Sequence, residues 1–254
     1  MLNSYTILGA ALDLDGTIIG PDEKISPAVH EAITLLSHHI PVFIATGREP
    51  ADALHYARKL NLTTPQLCDG GANILDPVRG VSTWTAPLGA GNSEVVITKL
   101  KEIGAAFVAT HENGSARNFD DVSNWDLIRV SALDMDEDTA DSLAAHFSQY
   151  DQMTVIKAIL PYNGLWAIDF TLAGVNKATG VSQIGQTLGI DPFNMVAIGD
   201  SYNDLPMLVS CGIGIAMGDA PKEVITAADF VAPLVEDDGL AMAINSYVMP
   251  RIPS

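Results

Sequence analysis

Two carboxylates stand directly after the first apolar segment of the chain. The segment from Ile7 to Leu12 reads as a strand and runs into Asp13-Leu-Asp-Gly-Thr17. Alternation along an extended backbone points Asp13 and Asp15 to the same side, and the carboxyl end of a strand in an α/β sheet faces the ligand crevice. Such a pair can act as nucleophile and acid–base group, or can hold a hard cation. A lone Asp-x-Asp is more often an acidic turn, and Ile18 excludes an EF-hand, which needs glycine there.

A second predicted strand end carries groups that suit an anion. The apolar run 42–45 is followed by Thr46, Gly47 and Arg48. A hydroxyl, a glycine whose N–H can approach a ligand closely and a guanidinium together form a plausible phosphate site. Taken alone, Thr-Gly-Arg is also common in loops, so this motif needs the others beside it to indicate a function.

A third predicted strand end supplies more oxygen ligands. Asp200, Asn203 and Asp204 follow the apolar run 195–198. Lys177 stands at the start of a predicted helix, where a cation opposes the helix dipole. Because that position is unfavourable for a lysine, it favours a functional role for the side chain.

The elements that must position these residues alternate between strands and helices at both ends of the chain, which predicts a parallel α/β sheet. Ser26 and Pro27 are typical of the N-cap and first position of a helix, and Pro50 predicts a second helix start. Near the other end, a helical face that includes Val181 closes at Gly189.

The middle of the chain has a different pattern. An Asn163-Gly164 turn after Tyr162 joins two β-type runs, which indicates an antiparallel sheet. We predict an α+β domain inserted into an α/β domain, with limits 1–80 and 169–254 for the core and 81–168 for the insertion. Its predicted elements are a strand from residue 81, helices 93–103 and 138–149, and strands 105–110, 127–133, 154–160 and 165–170.

Composition narrows the classes of partner. The 254 residues carry Lys+Arg 13 against Asp+Glu 31, a formal net charge of −18, and 48% of them are hydrophobic. Such a chain buries a core and repels nucleic acids and anionic membranes. Two cysteines exclude a disulfide framework and favour a reducing compartment. No basic segment precedes the first apolar run, so we expect a cytoplasmic protein without a signal peptide, of open oligomeric state.

Together the motifs closely resemble those of the haloacid dehalogenase superfamily of phosphoryl-transfer hydrolases. Within that superfamily the chain is most similar to the type IIB capped group, which contains the Cof-like and sucrose-phosphatase-like phosphatases. Asp13-Leu-Asp-Gly-Thr17 resembles the first motif, Thr46 the second, Lys177 the third and the segment 199–208 the fourth. The inserted domain falls between the second and third motifs, where that group carries its cap. The resemblance implies a doubly wound, mostly parallel sheet core of the haloacid dehalogenase type with an inserted α+β cap.

The resemblance also implies roles for the core residues. Asp13 would be the nucleophile that forms an aspartyl-phosphate, and Asp15 the acid–base group. Mg²⁺ would be held by Asp13, the backbone carbonyl of Asp15 and Asp200, with Asp204 orienting Lys177 or a metal-bound water. Lys177 would neutralise the charge on Asp13 and the transferring group. The remaining motif residues would contact the phosphoryl group: Thr46, Gly47, Arg48 and Asn203. The group often has Asn-Gly-Ala after its third strand, whereas this chain has Asp69-Gly-Gly-Ala72.

The cap of this group selects the leaving group, and His111 and Arg117 lie in or beside a polar loop suited to recognition. The other cap candidates are Glu112, Asn113, Asn118, Trp125, Arg129, Lys157, Tyr162 and Trp166. We expect a Mg²⁺-dependent phosphomonoesterase that acts on a small phosphorylated metabolite, a sugar phosphate first and phosphoglycolate or a similar acid second. The alternatives are a phosphomutase similar to phosphomannomutases and a non-catalytic phosphate-binding protein.

Overall fold

The computed structural model describes residues 6–160 and 163–253, which contain thirteen strands and eight α-helices. The strands are β1 (Gly9–Leu12), β2 (Val42–Ile44), β3 (Gln66–Cys68), β4 (Asn73–Asp76), β5 (Val81–Thr85), β6 (Ala106–His111), β7 (Gly114–Ala116), β8 (Arg129–Met135), β9 (Met153–Ile159), β10 (Trp166–Leu172), β11 (Met195–Gly199), β12 (Ile213–Ala216) and β13 (Phe230–Val231). The helices are α1 (Pro27–Ser37), α2 (Pro50–Lys59), α3 (Ala90–Ile103), α4 (Glu137–Phe147), α5 (Lys177–Leu188), α6 (Leu205–Ser210), α7 (Lys222–Ala227) and α8 (Gly239–Ala243).

The core is a five-stranded parallel sheet with the order β13-β12-β11-β1-β2. Alternation along β1 places Leu12 with α1 and α8 on one face and Ala11 with α5 and α6 on the other. Both faces are therefore covered, which explains why these strands are apolar along their whole length. The predicted parallel, doubly wound core is observed.

The predicted helix ends of the core are confirmed. The Ser26 hydroxyl accepts a hydrogen bond from the Val29 N–H at 3.1 Å, and Pro27 occupies the first turn of α1. Gly189 ends α5 in the left-handed region at φ 69°. These caps satisfy helix-end groups that the apolar core could not.

The insertion is a five-stranded antiparallel sheet with the order β7-β6-β8-β10-β9, and α3 and α4 pack on one face of it. The predicted elements of this region all exist, with ends displaced by one to three residues. In the predicted turn, Gly164 has φ 71°, while Tyr162 lies outside the described residues. The other face of the sheet is turned toward the core.

One predicted strand belongs to a different sheet from the one expected. The strand from Val81 was expected to open the insertion, but β5 pairs with β4 in a small antiparallel sheet β3-β4-β5. That sheet continues from the core through a bridge between Ala45 and Leu67. At the other limit, β10 continues to Leu172 inside the insertion's sheet. The domain limits stay a prediction, and these pairings favour moving them to about residues 87 and 173.

Two features bear on the expectations drawn from composition. Cys68 and Cys211 are both free and buried, and burial raises the pKa of the Cys211 thiol to about 12. None of the helices within the described ranges has the length and apolar content needed to cross a bilayer.

Candidate active site

The predicted site residues of the core meet at one edge of the parallel sheet. Asp13 follows β1, and Asp200 follows β11, its neighbour in the sheet. A cleft of about 310 Å³ opens between this edge and the sheet of the insertion. Its lining on the core side includes Asp13, Asp15, Gly47, Arg48, Asp200 and Asn203.

Lys177 is the buried cation of the site, with 1% of its surface exposed. Its Nζ donates to Asp13 Oδ1 and to Asp204 Oδ1, both at 2.5 Å. Burial alone would lower the pKa of this ammonium, but the two carboxylates outweigh it and raise the pKa. Lys177 therefore stays charged at neutral pH and fixes one oxygen of Asp13.

Asp204 is fully buried and uses both oxygens within the protein. Oδ1 binds Lys177, while Oδ2 accepts hydrogen bonds from the backbone N–H groups of Asp200 and Ser201 at 3.0 and 2.9 Å. The side chain thus ties the lysine to the loop that carries Asp200. This arrangement suits the predicted orienting role better than direct metal binding.

Three carboxylates surround this single lysine. Oxygens of Asp13, Asp200 and Asp204 all lie within 4.8 Å of one another. Asp13 Oδ2 and the Asp200 carboxylate accept no hydrogen bond from the described residues. Burial and the neighbouring carboxylates raise the pKa of Asp13 to about 8 and that of Asp200 well above its ordinary value.

The donor set fits a hard divalent cation. Two groups with free carboxylate oxygens, Asp13 and Asp200, converge where negative charge exceeds positive charge. Mg²⁺ prefers such oxygens and needs only one or two carboxylates, because it keeps several waters. A proton or a cation must supply the missing positive charge, and a bound cation would favour the ionised carboxylates.

Gly16 makes room for Asp200, which provides a test of this geometry. Gly16 has φ +75°, and a Cβ on it would lie 2.2 Å from Asp200 Oδ2. Gly16→Ala is therefore expected to displace that carboxylate and to weaken binding of Mg²⁺ by at least about tenfold. The measurement is a calorimetric titration of the protein with Mg²⁺.

Gly20→Ala is the matched control, because a Cβ on Gly20 would meet only a Val235 side-chain carbon at 3.8 Å. This variant should bind Mg²⁺ as tightly as the unmodified protein does. An unchanged titration curve for Gly16→Ala would show that Asp200 does not hold the metal.

Asp15 lies at the cleft but is already paired. Arg48 donates from Nε to Asp15 Oδ2 at 2.9 Å and from Nη2 to Oδ1 at 2.6 Å, and it also contacts Glu23 at 2.8 Å. Thr46 is buried, and its hydroxyl accepts from the Arg48 backbone N–H at 3.0 Å. Acid–base work by Asp15 therefore requires Arg48 to release at least one of its oxygens.

Asn203 lies against the predicted phosphate-binding loop. A Cβ on Gly47 would be 3.7 Å from Asn203 Nδ2. The Asn203 Oδ1 atom is buried without a hydrogen-bond partner among the described residues. Such an unsatisfied buried oxygen costs free energy and marks a place where a ligand or water would be stabilising.

The predicted substrate-contacting residues of the inserted cap domain fall into two groups, those that line the cleft and those that do not. Arg117 lines the cleft, and its Nη2 donates to Glu49 Oε1 at 2.8 Å. His111 is not among the residues that line the cleft. Alternation along β6 places it on the side of Phe107 and Ala109, which pack in the cap core, whereas Val108 faces the cleft. Its role as a substrate contact stays a prediction that this placement does not favour.

The other cap candidates divide in the same way. Arg129 lines the cleft. Lys157 lies 3.8 Å from the ring centroid of Trp166, which packs against the cap core. Three polar candidates and Trp125 lie outside the described lining: Glu112, Asn113, Asn118 and Trp125. Tyr162 again falls outside the described residues.

Sequence reasoning missed Asp169, which lines the cleft from β10. Arg129 joins it to Asp69, the residue that replaces the asparagine often found in the capped group. Asp69 is fully buried and is not among the residues that line the cleft. The sequence does contain a signal for Asp169, because it is a single carboxylate inside the otherwise uncharged strand Trp166–Leu172.

Comparisons with known proteins cover nearly the whole chain. The family model described as haloacid dehalogenase-like hydrolase matches residues 10–118 and 100–244. A phosphoglycolate phosphatase of Natronomonas pharaonis is 29% identical over 236 residues, which cover 92% of this chain and 95% of that protein. A Bacillus subtilis 5-amino-6-(5-phospho-D-ribitylamino)uracil phosphatase is 24% identical over 242 residues, 94% and 95% of the two chains. The structure of BT4131, a subclass IIB sugar phosphatase, superimposes with a TM-score of 0.81 at 21% identity, covering 94% and 98%.

Proposed function

The chain belongs to the haloacid dehalogenase-like hydrolases, and on that premise we propose a phosphomonoesterase that uses Mg²⁺ and forms an aspartyl-phosphate on Asp13. The predicted fold class, a core of the haloacid dehalogenase type with an inserted α+β cap, is confirmed by the structural similarity. Membership and fold support hydrolysis of phosphate esters, and the chemistry of the site supports the finer proposal.

The observation that carries the proposal is the buried contact between Lys177 and Asp13 at 2.5 Å. With Oδ1 held by the ammonium, Asp13 Oδ2 is the oxygen that attacks phosphorus, while the bond from phosphorus to the leaving oxygen breaks. Lys177 offsets negative charge on both the nucleophile and the transferring group. A binding protein would have no need of a carboxylate fixed in this way.

Asp15 gives a proton to the leaving oxygen and later takes one from the water that hydrolyses the aspartyl-phosphate. Since Arg48 holds both Asp15 oxygens before substrate binds, a phosphoryl group entering the cleft would draw the guanidinium away. The Gly47 N–H and the Thr46 hydroxyl complete the set of donors for phosphoryl oxygens. Asp13, Asp200 and the backbone carbonyl of Asp15 would hold Mg²⁺, which supplies positive charge to the phosphoryl oxygens.

The leading substrate class is a sugar phosphate, with phosphoglycolate or a similar small acid second. The sugar phosphatase with the same fold supports the first, and the relative from Natronomonas pharaonis supports the second. The cleft of about 310 Å³ suits a small phosphorylated metabolite. A cytoplasmic location stays a prediction.

Phosphate release from a panel of sugar phosphates, phosphoglycolate and nucleotides, measured with Mg²⁺ and with EDTA, tests the proposal. We expect release with Mg²⁺, a fall of at least about tenfold with EDTA, and recovery when Mg²⁺ is restored in excess. A folded protein that released phosphate from none of these compounds, or equally well in EDTA, would contradict it.

A further inference from the structure

The roof of the cleft, formed by the cap strands, is largely apolar. Six cap residues line it with carbon atoms: Val108, Leu133, Ala158, Ile159, Leu160 and Ala167. Asp169 stands among them on β10, a strand paired on both sides. A carboxylate on a rigid strand in apolar surroundings is stable only if a cation or a hydrogen-bond donor pairs with it.

That partner is Arg129, itself almost completely buried. Arg129 Nη1 donates to Asp169 Oδ1 at 2.7 Å, and Nε donates to Asp69 Oδ1 at 3.3 Å. Asp69 also accepts from Asn73 Nδ2 at 3.1 Å. The guanidinium is thus held from the core side and fixes one oxygen of Asp169.

The second oxygen of Asp169 faces the predicted phosphate-binding loop. A Cβ on Gly47 would lie 3.7 Å from Asp169 Oδ2. This oxygen accepts no hydrogen bond from the described residues. It is therefore an acceptor at the junction of the phosphate site and the apolar roof, where a leaving group must pass.

The cations of the described lining are all engaged by carboxylates. Arg117 binds Glu49, Arg129 is shared by Asp69 and Asp169, and Arg48 binds Asp15 and Glu23. In the proposed reaction Arg48 leaves Asp15 for the phosphoryl group and is then not available to the leaving group. The two cap arginines would also have to break ion pairs to meet a carboxylate of the leaving group. The cap side of the cleft therefore favours a leaving group without a carboxylate.

We propose that Asp169 is a specificity-determining residue. Its free oxygen accepts a hydrogen bond from a hydroxyl or N–H group of the leaving group, and its charge repels a leaving group that carries a carboxylate. The inference rests on the proposed phosphatase function and deepens it. It orders the two substrate classes, with neutral polyol or sugar phosphates ahead of phosphorylated acids.

Glycerol 3-phosphate and 3-phosphoglycerate form a matched pair for the test, because they differ by a hydroxymethyl group in place of a carboxylate. We expect kcat/KM of the unmodified protein to favour glycerol 3-phosphate by at least about tenfold. Asp169→Asn removes the charge, so the ratio should fall by at least about tenfold, mainly through KM. Asp169→Ser provides the same comparison with a smaller side chain, should the asparagine variant fail to fold.

Asp69→Asn is the control, since it removes a carboxylate from the same arginine without touching the cleft. Its melting temperature should fall, but its substrate ratio should stay within about threefold of the unmodified value. A similar loss of the ratio in Asp69→Asn and Asp169→Asn would mean that Asp169 merely supports the cap, and would overturn the inference.

The unmodified protein alone can also overturn it, by hydrolysing both compounds equally or by preferring the acid. Hydrolysis of p-nitrophenyl phosphate distinguishes a failure of the role of Asp169 from a failure of the phosphatase function. If that compound is cleaved but the pair is not discriminated, the role of Asp169 fails and the phosphatase function stands. If nothing is cleaved by the folded protein, the function fails and the inference with it.

Discussion

Asp13→Asn is expected to lower kcat by at least about 10⁴-fold, because an amide is neither a nucleophile toward phosphorus nor a good metal ligand. The fold should survive. Asparagine has nearly the shape of aspartate, and Lys177 keeps its contact with Asp204 at 2.5 Å. Phosphate release at saturating substrate and Mg²⁺, together with a thermal melt of the same preparation, measures both expectations.

The effect on stability should depend on the metal. Because the pKa of Asp13 is raised to about 8, the folded protein without metal binds a proton there that the unfolded chain releases above its ordinary pKa of 3.8. This carboxyl therefore lowers stability as pH rises from about 4 to 8. A neutral amide escapes that loss, so in EDTA at pH 8 the variant should melt no lower than the unmodified protein.

Asp126→Asn, the same chemical change at an exposed position, is the control for Asp13→Asn. It should leave kcat within about twofold of the unmodified value. If Asp13→Asn retained a tenth or more of the original kcat, Asp13 would not be the nucleophile.

Lys177→Met is expected to have the second-largest effect. Methionine has a similar length but no charge, so Asp13 and Asp204 would lose their shared cation in a buried site. Removing one partner of a buried ion pair typically costs about 3–5 kcal/mol. The loss of charge neutralisation should also lower kcat by at least about 10³-fold.

The stability loss should grow with pH. In the unmodified protein the pKa of Lys177 is raised, so the lysine contributes stability that is fully present below its ordinary pKa of 10.5. Because Lys177 is the group that lowers the pKa of Asp13, that pKa rises further without the lysine, and the loss of stability caused by this carboxyl extends to higher pH than in the unmodified protein. Urea unfolding in EDTA at pH 5.5 and pH 8 should show the larger deficit at pH 8.

Lys99→Met is a suitable comparison, because Lys99 pairs with Glu102 near the surface at 3.1 Å and such pairs contribute at most about 1 kcal/mol. A Lys177→Met protein as stable at pH 8 as this control would mean that the lysine does not hold the carboxylates together.

Local sequence patterns predicted which strand ends lie together at the sheet edge. The residues that follow β1, β2 and β11 meet because parallel strands end at the same edge of a sheet. The start of α1 at Ser26 and the end of α5 at Gly189 depend on neighbouring residues alone. Such features need no knowledge of distant contacts.

Local patterns do not contain the information for features that depend on distant pairing. Alternation indicates a strand at Val81–Thr85, but nothing local says that it pairs with β4 rather than with the cap. Proximity to a polar loop suggested His111, while the face of β6 that points to the cleft depends on where helices pack. Asp169 acquires its role from an arginine 40 residues away and from a loop of the other domain.

The sharing of Arg129 between Asp69 and Asp169 also constrains how relatives of this chain can diverge. Changing Arg129 alone leaves two buried carboxylates without their cation, which is strongly destabilising, and changing either aspartate alone leaves the guanidinium with one carboxylate in place of two. Drift at these positions should therefore be correlated across lineages, with all three charges retained or all three replaced. A lineage that exchanged the set would be free to acquire a different leaving-group preference without altering the hydrolytic machinery beneath it.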